Sequence, residues 1–477
     1  MRRMATGGRC TGLVRGLGVW SAAGVVVGGM IGQSVFLVAS DMAREVDSLT
    51  KVIVVWIVGG VIVLCGACCY AELGAAMPEA GGDYIYLGRA MGPLWGFLYG
   101  WTSTIVMRPA TSASIAAGLV TFLAYVSPAL SRPLASWTFQ LPLQSAGCHF
   151  KFTAIRPMAA LVVILVTALN YVGVRTVGRF QVVLTALKVG TIVLILILGM
   201  SAGTSAGTSP TDLMTSFPVP SHGPLVAFLL ALVPVMAAYN GFQYLGSVGG
   251  EISHPEKNLP RAAILGAMFV MVLYVAINWV YFRVLSFSQV ARSQHVASDV
   301  IANIVGPSGA KWFTLAMVAS AFGSIHAGFL TGPRVAYAMA RDGYFFRFTG
   351  QLHTRFRTPS SAVILQGCLA TVLALTGTYQ ELYSYWVFAV WLFLGLTSIS
   401  LIRLRIIAPG VPRPFRLWGY PWIPIGFGVA AFAIAVNLWL VRPVRSSIGM
   451  VLIAAGIPFF YFWRRKGGPT ESRALLR

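Results

Sequence analysis

The sequence predicts an all-α membrane protein of twelve transmembrane helices, arranged as two inverted five-helix repeats whose first members, helices 1 and 6, are discontinuous, with two extra helices appended. Three observations predict it. Of the 477 residues, 57% are hydrophobic and only 10% charged, a composition outside the range of water-soluble domains. Apolar stretches long enough to cross a bilayer recur along the whole chain. The first and the sixth of them are interrupted by glycine and polar residues, five helices apart, as expected when each repeat opens with a broken helix.

The segments follow in order, each bounded by charge or turn signals, at about 18–40, 51–77, 93–127, 156–173, 179–200 and 222–248, then 262–286, 298–338, 360–378, 382–407, 420–441 and 447–463. The first lies between Arg15 and the Asp41–Asp47 stretch, and is too long for a signal-peptide core. The second starts at Lys51 and stops before Pro78, and the third opens at Gly92-Pro93 and closes at Pro128. Arg156 opens the fourth and Arg179 the fifth, which gives way to a Gly/Ser/Thr-rich stretch. Gly223-Pro224 opens the sixth, Pro260-Arg261 the seventh and Asp299 the eighth, which stops before Arg341. Pro359 opens the ninth, Arg403 and Arg405 close the tenth, Pro421 opens the eleventh, and Arg464 closes the twelfth. Residues 1–17 and 465–477 are expected as cytoplasmic segments flanking one domain, 18–464.

The net charge of +22 would raise the question of a nucleic-acid partner in a soluble protein. Here most of the Lys and Arg fall on one side if both termini are cytoplasmic, so the charge sets topology in the cell membrane, and no nucleic acid is expected. The cysteines, four of six within apolar runs, offer no disulfide framework. Cys65, Cys68 and Cys69 form a CxxCC run without nearby His or Asp, which reads as helix packing, so no metal and no cofactor is expected. No nucleophile with a base, paired intramembrane carboxylates or phosphate loop is found, and the chain is not expected to be an enzyme.

In GVVVGGMIGQSVF of the first span, Gly24, Gly28 and Gly32 recur four apart, and Gln33 and Ser34 follow. Close helix packing and a helix break both account for this alone. In the sixth span Pro234, Asn240, Gly241 and Gln243 interrupt an apolar run. Two facing breaks at mid-bilayer offer half-helix N-termini to a carboxylate and free carbonyls to an ammonium, which suits a zwitterion such as an amino acid.

The ordered series GGMIGQSVF, YAELGAAMPEAGGDYIYLGRAMGPLWGFLYGW, MRPATSAS, FQVVLTALK, AYNGFQYLGSVGGEISHPEKNLPRA, GPRVAYAMARDG and VPRPFRL resembles the amino acid–polyamine–organocation superfamily, and within it the L-type amino acid transporters of the light-chain kind. The resemblance implies a sodium-independent transporter working by alternating access, as an exchanger or with protons. Neutral L-amino acids are the first expectation, since no acidic residue stands out in mid-pocket. A cationic amino acid or polyamine permease is the alternative, and a non-transporting amino-acid receptor the alternative of another class. It implies a substrate site on Met30, Ile31, Gly32, Gln33, Ser34, Ala237, Tyr239, Asn240 and Gly241. The family's Gly-Ser-Gly-Ile-Phe reads Gly32 to Phe36 here with the hydroxyl moved to Ser34, Ala237 stands at an aromatic gating position, and Asn240 replaces a glycine. Animal members pair with a heavy chain through an external cysteine; Cys148 lies in roughly that region, but its loop matches poorly and no obligatory heavy chain is expected.

Lys188 lies about eight residues, roughly 12 Å, from the start of its span, farther than a lysine stem comfortably reaches. A mid-helix ammonium needs a partner. Sodium-coupled relatives hold a cation between spans one, five and eight, and sodium-independent members place a span-five lysine there. The resemblance therefore implies that Lys188 takes the ion's place, on carbonyls near Gly28 and Gly29 and on Ser320 or Ser324. Arg108 is expected in an ion pair or carbonyl clamp, His326 as a hydrogen-bonded packing residue, and Glu72 as an anchor or gate charge.

Overall fold

The computed structural model describes residues 16–79, 81–139, 148–172, 174–201, 223–356, 358–377, 379–441 and 443–465. Most of the two expected terminal segments, and Cys10, lie outside them. In chain order the helices are α1 (Val19–Met30), α2 (Ser34–Ala43), α3 (Leu49–Ala76), α4 (Asp83–Met91), α5 (Pro93–Thr102), α6 (Arg108–Val126), α7 (Ile155–Val172), α8 (Val174–Ser201), α9 (Pro224–Ala238) and α10 (Tyr244–Ser247). They continue as α11 (Pro255–Val284), α12 (Phe287–Arg292), α13 (Val296–Thr331), α14 (Pro333–Arg341), α15 (Ser360–Thr376), α16 (Tyr379–Ile407), α17 (Trp422–Val441), α18 (Pro443–Ala454) and α19 (Gly456–Arg465). Among the described residues, nine helical stretches are long and apolar enough to cross a membrane, or ten if α1 and α2, bent by 41° at their break, form one span. The protein is thus a multi-pass helical membrane protein. One element departs from the all-α expectation: β1 (Pro133–Phe139) pairs antiparallel with β2 (Cys148–Thr153) between the third and fourth spans. Its sequences, SWTF and HFKF, are rich in strand-forming aromatics that a search for apolar spans passes over.

Prolines and glycines decide where spans bend. Pro109 has no N–H to give the preceding turn, and a π-turn at Ser103–Met107 joins α5 to α6 there. The expected eighth span is bent at Gly306, φ 81, just before Pro307, and divides again at Gly332-Pro333. α3 packs along α11, and α13 along α6 and α8, so the broken α1 lies among α8, α11 and α13.

Two buried carboxylates tie spans together. Asp83, at the start of α4, accepts from the Tyr70 phenol and from Thr397 Oγ1 at 2.7 Å. Glu72 accepts from Arg405 Nε at 2.8 Å and Nη2 at 2.5 Å, and from the Leu417 amide at 2.7 Å, with Arg413 at 3.7 Å. Glu72 therefore anchors α3 to α16 and the segment that follows it. Removing one member of a buried pair strands the other's charge. Glu72→Ala should cost about 3 kcal/mol of stability, the low end of the range because Arg405 keeps some solvent contact. The check is thermal unfolding in detergent; an unchanged midpoint would show that the pair holds nothing together.

Candidate functional site

Two helix breaks face each other inside the bundle. α1 stops at Met30 because Ile31, at ψ 87, leaves the helix, and α2 resumes at Ser34. α9 stops at Ala238, and Gly241, φ 132, turns the chain before α10. A Cβ on Gly241 would lie 2.5 Å from the carbonyl carbon of Gly29, so the two backbones touch at this point. No Cβ neighbour lies within 4 Å of Gly24, so close packing does not explain that glycine.

An aromatic cluster holds the breaks in place. Tyr274 donates to the Met30 carbonyl at 2.7 Å and lies 3.4 Å from that of Ala238, thereby serving both breaks. Tyr239 donates to the Trp56 carbonyl at 3.1 Å, and the rings of Trp56, Tyr239 and Tyr274 are mutually 5.1–5.5 Å apart. On the α9 side Gln243 accepts from the Gly241 amide at 3.0 Å and donates to Asn240 Oδ1 at 2.5 Å.

Between the breaks lies a narrow cavity of about 40 Å³. At ~10–15 Å³ for each water-sized occupant it holds only a few such groups. Met30, Gly32, Gln33, Ser34, Ala237 and Asn240 line it, as six of the nine expected substrate residues. The other three do not. Ile31 turns its carbonyl to Lys188, Tyr239 belongs to the aromatic cluster, and Gly241 packs on Gly29. The Met30 carbonyl faces Tyr274, which makes it a poorer ammonium acceptor than its place in the break implies. Gln33 donates to the Ser114 carbonyl at 3.2 Å, and its Oε1 has no partner among the described residues.

Sequence reasoning missed much of the wall: Thr111, Ser112, Ser114 and Ile115 of α6, Tyr244 of α10 and Trp386 of α16; Ser324 of α13, expected only as a partner of Lys188, also lines it. Arg108 also lines it and corrects an expectation. It has no carboxylate within 4.0 Å among the described residues; its guanidinium lies 4.0 Å over the Tyr244 ring and donates to Thr331 Oγ1 at 3.3 Å. The face of an aromatic ring accommodates a cation where no anion is at hand. Its signal in the sequence was Arg-Pro in an apolar run, but the partner sits far along the chain on α10.

Lys188 is fully buried on α8. Its ammonium donates to the carbonyls of Gly28 and Ile31, both at 3.0 Å, and to Ser324 Oγ at 2.6 Å. Gly28 and Ser324 are among the expected partners; Ile31 replaces Gly29, and Ser320 Oγ is not used. A lysine at the α1 break thus joins α8 to α13. Nearby, His326 Nδ1 hydrogen-bonds Asn170 at 2.9 Å, tying α13 to α7. Cys65, Cys68 and Cys69 are free thiols.

Contacts bridge the bundle at both ends. At one end Gly16 and Leu17 donate to the Glu251 carbonyl at 3.0 Å, Ser253 donates to Leu17 at 2.9 Å, and Arg334 Nε bonds the Glu251 carboxylate at 2.9 Å. At the other, Arg44 on the segment after α2 donates to the Ala291 carbonyl of α12 at 2.8 Å. Arg334→Gln should leave Glu251 buried without its cation, a loss of about 3 kcal/mol or more. Uptake should fall at least about tenfold, and the exchange Glu251→Arg with Arg334→Glu should restore part of it; no restoration would mean that the pair acts by something other than its charge.

The amino acid permease family description matches residues 17–462 of the chain. Among relatives, the large neutral amino acids transporter small subunit 2 of Rattus norvegicus is 33% identical over 471 residues, 97% of this chain and 84% of the relative. The b(0,+)-type amino acid transporter 1 of Mus musculus is 28% identical over 463 residues, 95% of this chain and 89% of the relative. The Asc-type amino acid transporter 1 of Mus musculus is 30% identical over 461 residues, 95% and 82% respectively. With the match running through both helix breaks and every span between them, the chain belongs to the amino acid permease family of the amino acid–polyamine–organocation superfamily, among the L-type light chains, and is a transmembrane amino acid transporter.

Proposed function

We propose that this transporter moves neutral L-amino acids by alternating access without sodium, across twelve spans with both termini in the cytoplasm. The observation that carries this reading is the Lys188 ammonium, with two carbonyls of the α1 break and Ser324 around it at 2.6–3.0 Å. Three oxygens at such distances surround the Lys188 amine where a bound monovalent cation would otherwise sit. The count of twelve rests on adding the apolar helices Leu225–Ala238 and Ser360–Thr376, shorter than the rest, to the ten spans that include the bent pair. The inverted repeats rest on the two breaks five spans apart.

The substrate's carboxylate is assigned to the first amides of α2, around Gly32, Gln33 and Ser34. A helix leaves its opening N–H groups without internal acceptors, and its dipole favours an anion there. The ammonium is assigned to carbonyls at the α9 break near Ala237 and Asn240. A neutral side chain is favoured because, among the described residues, no Asp or Glu lines the cavity while Arg108 does; a lysine, arginine or polyamine would meet that guanidinium without a carboxylate among them to balance it. The name of the relative at 33% identity also specifies neutral amino acids. With Ala237 at the gating position, Trp386 and Tyr244 are the bulky rings available to close on a substrate.

Purified protein in liposomes, offered a panel of labelled amino acids with and without sodium, tests the proposal: alanine, glutamine or leucine should exchange regardless of sodium, and transport of lysine or a polyamine alone would overturn it. Uptake by the chain expressed alone addresses the partner. The expectation of no obligatory heavy chain gains nothing from the comparisons, because the relatives named small subunits are designated as parts of assemblies. The side chain of Cys148 lies outside the described residues.

A further inference from the structure

The connection from α14 to α15 folds under one end of the bundle and leaves two of its most apolar side chains outside. Phe345 is buried, its ring 5.6 Å from that of Trp463 near the end of α19. Phe346 meets the same indole edge-on at 5.2 Å yet is 48% exposed, and Phe348, 49% exposed, stacks on it at 5.7 Å. The far side of the connection is pinned too, since His353 lies 5.5 Å from the ring of Tyr171 on α7 and Thr358 donates to the Tyr171 carbonyl at 3.4 Å. The exposure of the two phenylalanines is therefore built in, held between α19 and α7.

The charge around them is mostly positive. Arg341 at the end of α14 and Arg347 and Arg355 on the connection are exposed, and Arg465 ends α19. From 341 to 355 the one acid is Asp342, which accepts from the Tyr84 phenol at 2.8 Å. Depth follows from Trp463: it belongs to the last turns of a span whose Phe459, Tyr461 and Phe462 face outward, and the arginines after it mark where that span leaves the hydrocarbon. Phe346 and Phe348, packed at that level, lie at the height of the lipid headgroups. A patch of exposed rings amid basic groups at that depth complements an anionic membrane surface.

We infer that Phe346, Phe348 and the arginines around them form a binding site for anionic phospholipid of the surrounding bilayer, with headgroup phosphates on the guanidinium groups and the rings wedged between headgroups. The site bears on transport through α14. That helix leads directly into the connection and carries Arg334, whose pair with Glu251 closes one end of the bundle. A connection held against the membrane restrains α14, so anionic lipid steadies the closed gate and sets how often it opens.

The test measures lipid retained by purified protein after detergent exchange, using vesicles of phosphatidylcholine with and without phosphatidylglycerol. Wild type should keep phosphatidylglycerol over phosphatidylcholine. Arg347→Gln should lower that retention about fivefold, the factor for one basic group at an anionic surface. Phe346→Ser with Phe348→Ser should lower it further, with thermal unfolding in detergent unchanged to show that the fold is intact. In liposomes, the rate of amino acid exchange by wild type should differ between the two lipid mixtures, and the variants should lose that difference. Equal retention of the two lipids, or retention unaffected by the variants, overturns the inference. Retention is read without transport, so a wrong substrate assignment leaves this arm intact.

Discussion

Lys188→Ala should reduce exchange at least about a hundredfold while leaving the protein inserted. Truncation at the methyl group strips the Gly28 and Ile31 carbonyls and the Ser324 hydroxyl of a donor in the middle of the bundle. A buried polar group left without its partner costs roughly 1–3 kcal/mol, and the loss falls on the break that forms the substrate site. Ser324 keeps a weaker alternative in the Ile31 carbonyl at 3.2 Å; the Gly28 carbonyl loses its one donor from α8. Lys188→Arg should not rescue. α13 makes room for the stem with Gly323, where even a Cβ would come within 3.1 Å of Lys188 Cε, so a planar guanidinium has no place to lie. The measurement is exchange in liposomes at matched protein content, with thermal unfolding as the control for the fold. Exchange that survives the substitution, or that needs a sodium gradient in the wild type, removes Lys188 from the mechanism. Sodium-stimulated exchange appearing only in Lys188→Ala would instead support it, since the emptied oxygens would then be available to a real cation.

How much of this was legible in the sequence differs between spans and contacts. Spans follow from hydrophobic length, a property of each segment by itself, so every expected apolar segment overlaps a helix in the structure. The two breaks were legible for the same reason: Gly32 and Gly241 sit beside polar residues inside apolar runs. What surrounds the breaks depends on pairs of residues far apart in the chain. Tyr239 and Tyr244 are five positions apart on either side of Gly241, and the turn there sends the first into the Trp56 cluster and the second into the cavity wall. No periodicity distinguishes them, because the helix that defines the period stops between them. Arg108 likewise gave a signal without an address, since its cation–π partner lies on α10. Lys188 was the exception. Its cost in hydrocarbon demanded acceptors, and a broken helix is where free carbonyls are found.

Gly241→Ala should abolish transport and destabilise the protein by about 3 kcal/mol or more. Two costs combine at this residue. At φ 132 an L-residue is strained, by about 1–3 kcal/mol for such sparsely populated conformations. The added Cβ would also lie 2.5 Å from the carbonyl carbon of Gly29, 2.6 Å from its oxygen and 2.8 Å from the Met30 amide nitrogen. These are backbone atoms, and no rotamer change moves them. Relief requires the α9 break to shift away from α1, and that shift pulls the Ala238 carbonyl from Tyr274 and Tyr239 from Trp56. The proper comparison is Gly24→Ala on the same α1, where a Cβ would meet nothing within 4 Å. There the lower chain entropy of alanine in a helix should be neutral or stabilising by about 0.5–1 kcal/mol. Thermal unfolding and exchange rates for the two variants, measured side by side, separate contact between the breaks from a general demand for small residues. If Gly241→Ala transports like wild type, or if Gly24→Ala is as damaging, the breaks are not held together at Gly29 and Gly241, and the geometry of the substrate site rests on something else.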